Sequence, residues 1–326
     1  MEIQTSARLH LSLIDLNGSE GRLDGGIGIT LEEPYLNIGC EEHHKNKITF
    51  NKDVDVQNKT AYESKIIDAA NKMKQFLNVD ANYHFKINNI YPMHHGLGLG
   101  TQLALSIAKL ISESHNVHLS TIELARIIER GGTSGIGVYS FDNGGIIIDG
   151  GHKKVLKKDF LPSSVSKVSP PPLIARYDFP KEWNIILAYP RDSSGASGSN
   201  EVNIFQKYSP ISLQDVQYIS YLTLMKLMPA ILEKDIQSFA DAVNKIQSIG
   251  FKKIERNLQS NQTDNLINNM KKLDIPAVGM SSFGPTCFGI TDEKTNLLIK
   301  ELEELTENDM IIYETKGKNH GSILKE

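Results

Sequence analysis

The sequence predicts an α+β protein of two domains, and three observations carry that prediction. The first 90 residues read as short strands with one amphipathic helix among them. A loop holding Gly96, Gly98 and Gly100 then runs straight into a second helical pattern. Last, a serine- and proline-rich connector between Pro162 and Pro172 precedes a further series of strands and helices. The chain has 326 residues, enough to build two cores.

In order, residues 2–14 alternate as a strand, with Ile3, Thr5, Ala7, Leu9, Leu11 and Leu13 on one side and Arg8, His10 and Ser12 on the other. A polar, glycine-rich turn spans Asn17 to Gly26 and carries Arg22 and Asp24, with Asp15 at its mouth; a solvated loop accounts for each of these charges. Strands are expected at 27–31, 35–40 and 47–50, a helix at 59–77, and a strand from Tyr83 to Ile90. After the glycine loop, Leu103, Ile107, Leu110 and Ile111 recur at helical spacing from about Thr101. Ser120 and Glu123 form a capping-box pair that opens a helix to about Arg130. A second glycine cluster, RGGTSGIGVYSFDNGG, leads into a strand at 146–148 that ends in Asp149 and His152.

Beyond the connector, a strand is expected from Trp183 to Tyr189, then a helix start around Ser197, Gly198, Asn200 and Glu201. Helices follow at 213–228, broken at Pro229, at 235–249, stopped by Gly250, and at 262–273. Ser281, Ser282 and Gly284 form a third small-residue loop between two apolar segments. A helix at 293–306, a strand from Met310 to Tyr313 and a partly disordered polar tail complete the chain.

Composition excludes several function classes. Hydrophobic residues at 40% and charged residues at 23% describe a soluble, cytoplasmic globular protein. A net charge of −4 gives no electrostatic case for nucleic acid, and no stretch is apolar enough to enter a membrane. Cys40 and Cys287 stand alone, so neither a disulfide framework nor a zinc site follows.

The glycine loop before a helix is a recipe for holding phosphate. Unpaired N–H groups and the positive end of the helix dipole face it, and the missing Cβ atoms let an anion come close. The same pattern also fits a turn that only caps a helix. Two further glycine- and serine-rich loops tip the balance; if all three converge, they form one anion-binding cleft between the domains. His152 taken alone fits a structural histidine equally well.

The segment PMHHGLGLGTQ resembles the phosphate loop of the GHMP kinase superfamily, and the other loops fall where that superfamily has its remaining motifs. This implies an N-terminal domain like ribosomal protein S5 domain 2, over residues 1–168, and a C-terminal ferredoxin-like domain over 173–326. The departures are informative. Kinases of the superfamily carry a catalytic Asp in S-G-x-D, six residues before G-G; here Ser134, Gly135, Ile136 and Gly137 keep the spacing to Gly144 and Gly145 without the carboxylate. Glycine cannot accept a hydroxyl proton.

The set Arg8-Leu9-His10, HHGLGLGTQLAL, RGGTSGIG, IIIDGGH and GMSSFGPT is similar to the β-ribofuranosylaminobenzene 5′-phosphate synthases, an archaeal branch of the superfamily. That resemblance implies a decarboxylating transfer from phosphoribosyl pyrophosphate to 4-aminobenzoate or 4-hydroxybenzoate in tetrahydromethanopterin biosynthesis, with Mg2+ on the pyrophosphate and a homodimer. The amides of Gly96, Gly98, Gly100 and Thr101, with Gln102, Arg130, Gly131, Gly132 and Ser134, then become candidates for the phosphorylated substrate. Arg8, Arg22, His94 and His95 are candidates for the aromatic carboxylate, His10 and Glu201 are further substrate-binding candidates, and Ser281, Ser282 and Gly284 close the cleft. Asp15, Asp149 and His152 are the catalytic candidates; Asp149 and Glu201 are the candidate metal ligands. A GHMP small-molecule kinase with a displaced carboxylate, and a binding protein that has lost its chemistry, remain as alternatives.

Overall fold

The computed structural model describes residues 1–54, 58–162, 165–191 and 199–326, and of residues 199 and 200 only the backbone. The expected Ser197 and Gly198 at a helix start lie outside the described residues, as does the side chain of Asn200.

Two long strands frame the first sheet, β1 (Glu2–Asp15) and β2 (Arg22–Glu42). There follow β3 (Lys47–Phe50), α1 (Lys59–Leu77), β4 (Tyr83–Asn89), α2 (Leu99–Ser114), α3 (Thr121–Ile127), α4 (Ile136–Asp142), β5 (Ile146–Asp149), β6 (His152–Lys153) and β7 (Leu173–Tyr177). The second half holds β8 (Asn184–Pro190), α5 (Ser199–Tyr208), α6 (Leu213–Leu222), α7 (Met228–Glu233), α8 (Ile236–Ile246), α9 (Gly250–Asn257), α10 (Asn261–Lys272), β9 (Ala277–Met280), β10 (Cys287–Thr291), α11 (Thr295–Leu305), β11 (Met310–Thr315) and β12 (Ile323–Lys325).

The first sheet runs β12-β1-β2-β4-β3, with β5 and β6 on the near end of β2 and β7 beyond β5. Its inward side chains, Ile3, Ala7, Leu9 and Leu11 among them, pack in one buried core with α1 and α2. Helix α2 is buried on nearly every side, from Gln102 to Ala108 without a break, because α1, α3, α4 and the sheet surround it. The second sheet is antiparallel in the order β11-β8-β10-β9. Strand, helices, two strands, helix and strand in that order is the ferredoxin-like arrangement expected. Gln247 in the loop after α8 joins the halves: its Nε2 donates to Leu11 O at 2.6 Å and its Oε1 accepts from Met280 N at 2.9 Å.

Several elements differ from expectation. The turn at 17–26 and the strands at 27–31 and 35–40 are largely one strand, β2, because its near end pairs with β5 and its far end with β4. Helix α4 lies inside the second glycine cluster; all but its last residue are buried, so no polar face marked it. The helix expected to break at Pro229 continues through a π-helical turn at Thr223–Leu227, with Pro229 in the first turn of α7. Gly250 opens α9 instead of only stopping α8, with φ of 55°. Strand pairing also crosses the 168/173 division: β7 pairs β5 and β12 pairs β1, so the tail is a strand of the first sheet.

Candidate active site

The three loops meet at β1. Arg8 Nη1 donates to Gly96 O at 2.5 Å, and Arg8 N donates to Leu97 O at 3.1 Å. Ser281 Oγ donates to the same Gly96 carbonyl at 2.7 Å and accepts from His10 N at 2.9 Å, while Ser282 N donates to His10 O at 3.0 Å. Residues 8–10 thus stitch the phosphate loop to the third loop. Glycine is required at 96: φ is 77°, and a Cβ there would stand 2.2 Å from Ser281 O.

Two cavities open from this junction. The outer one, of about 170 Å3, is bounded by the start of α2, by Lys65, His94 and Arg130, and by Glu201 and Ser282. Gly98, with φ of 82°, caps α2, and a Cβ on Gly100 would meet nothing within 4 Å. Free helix N–H groups with two cations suit an anion. Burial lowers the pKa of Lys65 and of Arg130, and the Arg130 charge lowers Lys65 further, while Asp68 partly offsets both shifts.

The inner cavity, of about 80 Å3, shares Thr101, Glu201, Ser282 and Phe283 with the outer. Leu13, Pro162, Phe205 and Phe283 give it apolar walls; Arg8, His10, Thr133, Ser134 and Glu255 supply polar groups. His10 Nε2 lies 3.2 Å from Ser134 Oγ, which donates to Asp149 Oδ2 at 3.2 Å. Asp149 also accepts from Gly135 N at 2.9 Å and Gly151 N at 3.0 Å. Burial pushes its carboxyl up to about 6 against these donors. Burial, then the charges of Arg8 and Lys252, hold His10 well below the usual histidine range, so its imidazole is neutral. Desolvation likewise draws Arg8 down to about 10, and its Nε has no partner among the described residues.

The other expected residues have structural partners. Asp15 accepts from Asn17 N and Gly18 N, capping its own turn. Arg22 donates to Gly150 O and Gly151 O. His152 is 2.6 Å from Asp24, whose carboxylate also holds Lys157 Nζ at 2.9 Å; Asp24, expected in a solvated loop, is fully buried. Gln102 bridges Thr5 and Gly137 O inside the core. His95 meets Met93 O through Nδ1 at 2.8 Å and packs edge-on against Tyr189. Gly131 and Gly132 press against Pro170 and Ser166 of the connector, and Gly284 against Met280. Two cleft features escaped the sequence reading: Lys65, one lysine among several on α1, and the buried Lys252–Glu255 pair at 2.7 Å, which has the spacing of an ordinary surface pair.

Among the described residues, no group of three or more His, Cys, Asp or Glu side chains could hold a metal. Of the two expected ligands, Asp149 has both oxygens engaged by N–H and O–H donors, whereas Glu201 borders both cavities. The donor set suits Mg2+ held mainly by substrate oxygens and water, with one protein carboxylate.

Residues 64–145 match the model of the GHMP kinases N terminal domain, and residues 227–305 that of the GHMP kinases C terminal. A beta-ribofuranosylphenol 5'-phosphate synthase of Methanothermobacter thermautotrophicus is 49% identical over 99% of this chain and 98% of its own. The protein of the same name from Methanocaldococcus jannaschii is 43% identical, over 98% and 99%. The chain belongs to this synthase family. Among solved structures, a homoserine kinase from Cytophaga hutchinsonii superposes with a TM-score of 0.70 at 12% identity, over 99% of this chain and 96% of that one. A mevalonate kinase from Methanococcus jannaschii gives 0.64 at 14%, over 98% of each. At such identity these kinases show the fold alone. The synthase family therefore has a kinase scaffold, and this member has Gly137 where the kinase carboxylate is expected.

Proposed function

We propose that this protein joins the ribosyl group of phosphoribosyl pyrophosphate to 4-hydroxybenzoate, or to 4-aminobenzoate, with loss of CO2 and pyrophosphate. The observation that carries this reading is the pair of joined cavities, one cationic and lined by helix amides, the other small and apolar-walled. The outer cavity takes the phosphate-bearing substrate, with Lys65, Arg130 and the amides from Gly98 to Gly100 stabilising the departing pyrophosphate. Mg2+, held there by Glu201 and the substrate, would neutralise further charge on that leaving group. The arene lies against the wall formed by Phe205 and Phe283, which exclude water from an anomeric carbon that becomes cationic as pyrophosphate leaves.

The ring carbon bearing the carboxylate must face that anomeric carbon where the cavities meet, at Thr101 and Ser282. Bond formation there breaks aromaticity, and expulsion of CO2 restores it. The relatives' name, a ribofuranosylphenol phosphate synthase, favours the hydroxy acid as arene. The proposal includes a homodimer and a cytoplasmic location; no helix among the described residues is long and apolar enough to cross a membrane. The test is the product. NMR of a reaction holding only protein, Mg2+, phosphoribosyl pyrophosphate and 4-hydroxybenzoate should show the anomeric carbon bonded to a ring carbon. A product phosphorylated on a small alcohol, formed only with ATP, would replace this reading with a kinase.

A further inference from the structure

We propose that His10 is the base that takes the para hydroxyl proton of the arene and later returns it, with Ser134 and Asp149 as positioning residues behind it. This rests on the synthase reading above.

Hydrogen-bond accounting around Ser134 fixes the direction of the line. Its hydroxyl has one proton, which goes to Asp149 Oδ2, and its oxygen accepts from Ile136 N at 3.2 Å. With that proton committed, the 3.2 Å contact to His10 is satisfied when His10 Nε2 carries the hydrogen. The imidazole is neutral, so its Nδ1 is then a bare lone pair. His10 borders the inner cavity, and among the described residues its Nδ1 has no hydrogen-bond partner. A ring held in this cavity has His10 and Ser134 among the polar groups its para oxygen can meet.

A weakly basic imidazole suits the task. As the ring carbon attacks C1 and the C–O bond to pyrophosphate breaks, electrons leave the para oxygen and its O–H becomes strongly acidic. Nδ1 takes that proton, leaving a dienone that still bears the carboxylate. The C–CO2 bond then breaks, its electron pair restores the ring as a phenolate, and the phenolate recovers the proton from Nδ1. Phenol, CO2 and pyrophosphate balance with no other reagent. Arg8 and Lys252 oppose the charged imidazole, and Ser134 links the ring to the Asp149 carboxylate. Glu201 and Glu255 also line the cavity, and Glu255 Oε2 is occupied by Lys252.

An amino group supplies its electrons without first losing a proton, so the two arenes separate base catalysis from simple damage. His10→Gln should lower kcat for 4-hydroxybenzoate about 100-fold more than kcat for 4-aminobenzoate, the usual worth of a general base. A ring-fluorinated 4-hydroxybenzoate, whose phenol ionises unaided, should recover much of that loss. Ser134→Ala should show the same selectivity to a smaller degree. Equal losses with all three arenes, or the selective loss appearing in Glu255→Gln instead, would overturn the assignment. A wild-type protein inactive with every arene would instead refute the synthase reading itself.

Discussion

Gly137 lies against Thr101 so closely that a Cβ at 137 would stand 3.1 Å from Thr101 Cγ2 and 3.3 Å from its Cβ. The Gly137 carbonyl is meanwhile held by Gln102 Nε2 at 2.7 Å. The place where a GHMP kinase carries its carboxylate is therefore filled from the other side. Gly137→Asp should lower stability by about 1–3 kcal/mol through overpacking, and Thr101→Ser in the same chain should recover part of it by removing the methyl group. Neither chain should phosphorylate an alcohol with ATP. A stable Gly137→Asp protein with kinase activity would contradict this account.

Gly100 offers a clean test of the outer cavity. Unlike Gly98, whose added Cβ would press on Arg8 at 3.0 Å, Gly100 has open space in front of it and lies in the first turn of α2. Gly100→Ala should leave the melting temperature equal or slightly raised, because alanine favours the helix by up to about 1 kcal/mol. The new methyl intrudes where the phosphate sits, so KM for phosphoribosyl pyrophosphate should rise at least tenfold. An unchanged KM in steady-state assays would remove the loop from the binding site.

Asp149 gives a pH signature. Burial raises its folded pKa to about 6, above an unfolded value of about 3.9. Between those values the folded protein holds a proton that the unfolded chain has released, so this group's contribution to stability falls as pH rises from about 4 to 6 and is level above. Asp149→Asn cannot titrate. Its melting temperature relative to wild type should therefore move in the variant's favour between about pH 4 and 7; a difference independent of pH would contradict the assigned burial.

The Asp24 carboxylate sits with its side chain fully buried between Lys157 and His152. Lys157→Met leaves it with one partner, and a buried charge stripped of a partner costs about 3 kcal/mol. Urea unfolding should show that loss, with KM for phosphoribosyl pyrophosphate little changed because none of these residues lines the outer cavity. A loss below about 0.5 kcal/mol would mean that His152 alone suffices.

Asp24 also shows why part of the molecule was illegible in the sequence. Its partner Lys157 is 133 residues away, and nothing near Arg22 or Gly25 signals that the segment is covered. Lys252 and Glu255, three residues apart on α9, carry no local mark of burial either, because what covers them comes from distant segments such as Ser282. What could be read was local. The α1 boundaries, the Ser120 capping box and the glycine loop before α2 each depend on neighbouring residues, and all appear as expected. The sequence showed three small-residue loops that would form one anion-binding cleft if they met; that Gly96, Ser134 and Ser281 meet at β1, and that a line runs from His10 to Asp149, was not legible. That line needs Ser134, which is separated from His10 by 124 residues, to turn its hydroxyl toward both.

The central claim is that a kinase scaffold here performs carbon–carbon bond formation without ATP. Carboxyl-labelled 4-hydroxybenzoate, phosphoribosyl pyrophosphate and Mg2+ test it most directly, with labelled CO2 and pyrophosphate counted together. The account predicts one CO2 for each pyrophosphate, none when either substrate is omitted, and no effect of ATP. Absence of labelled CO2, with ATP consumed against homoserine or mevalonate, would contradict it.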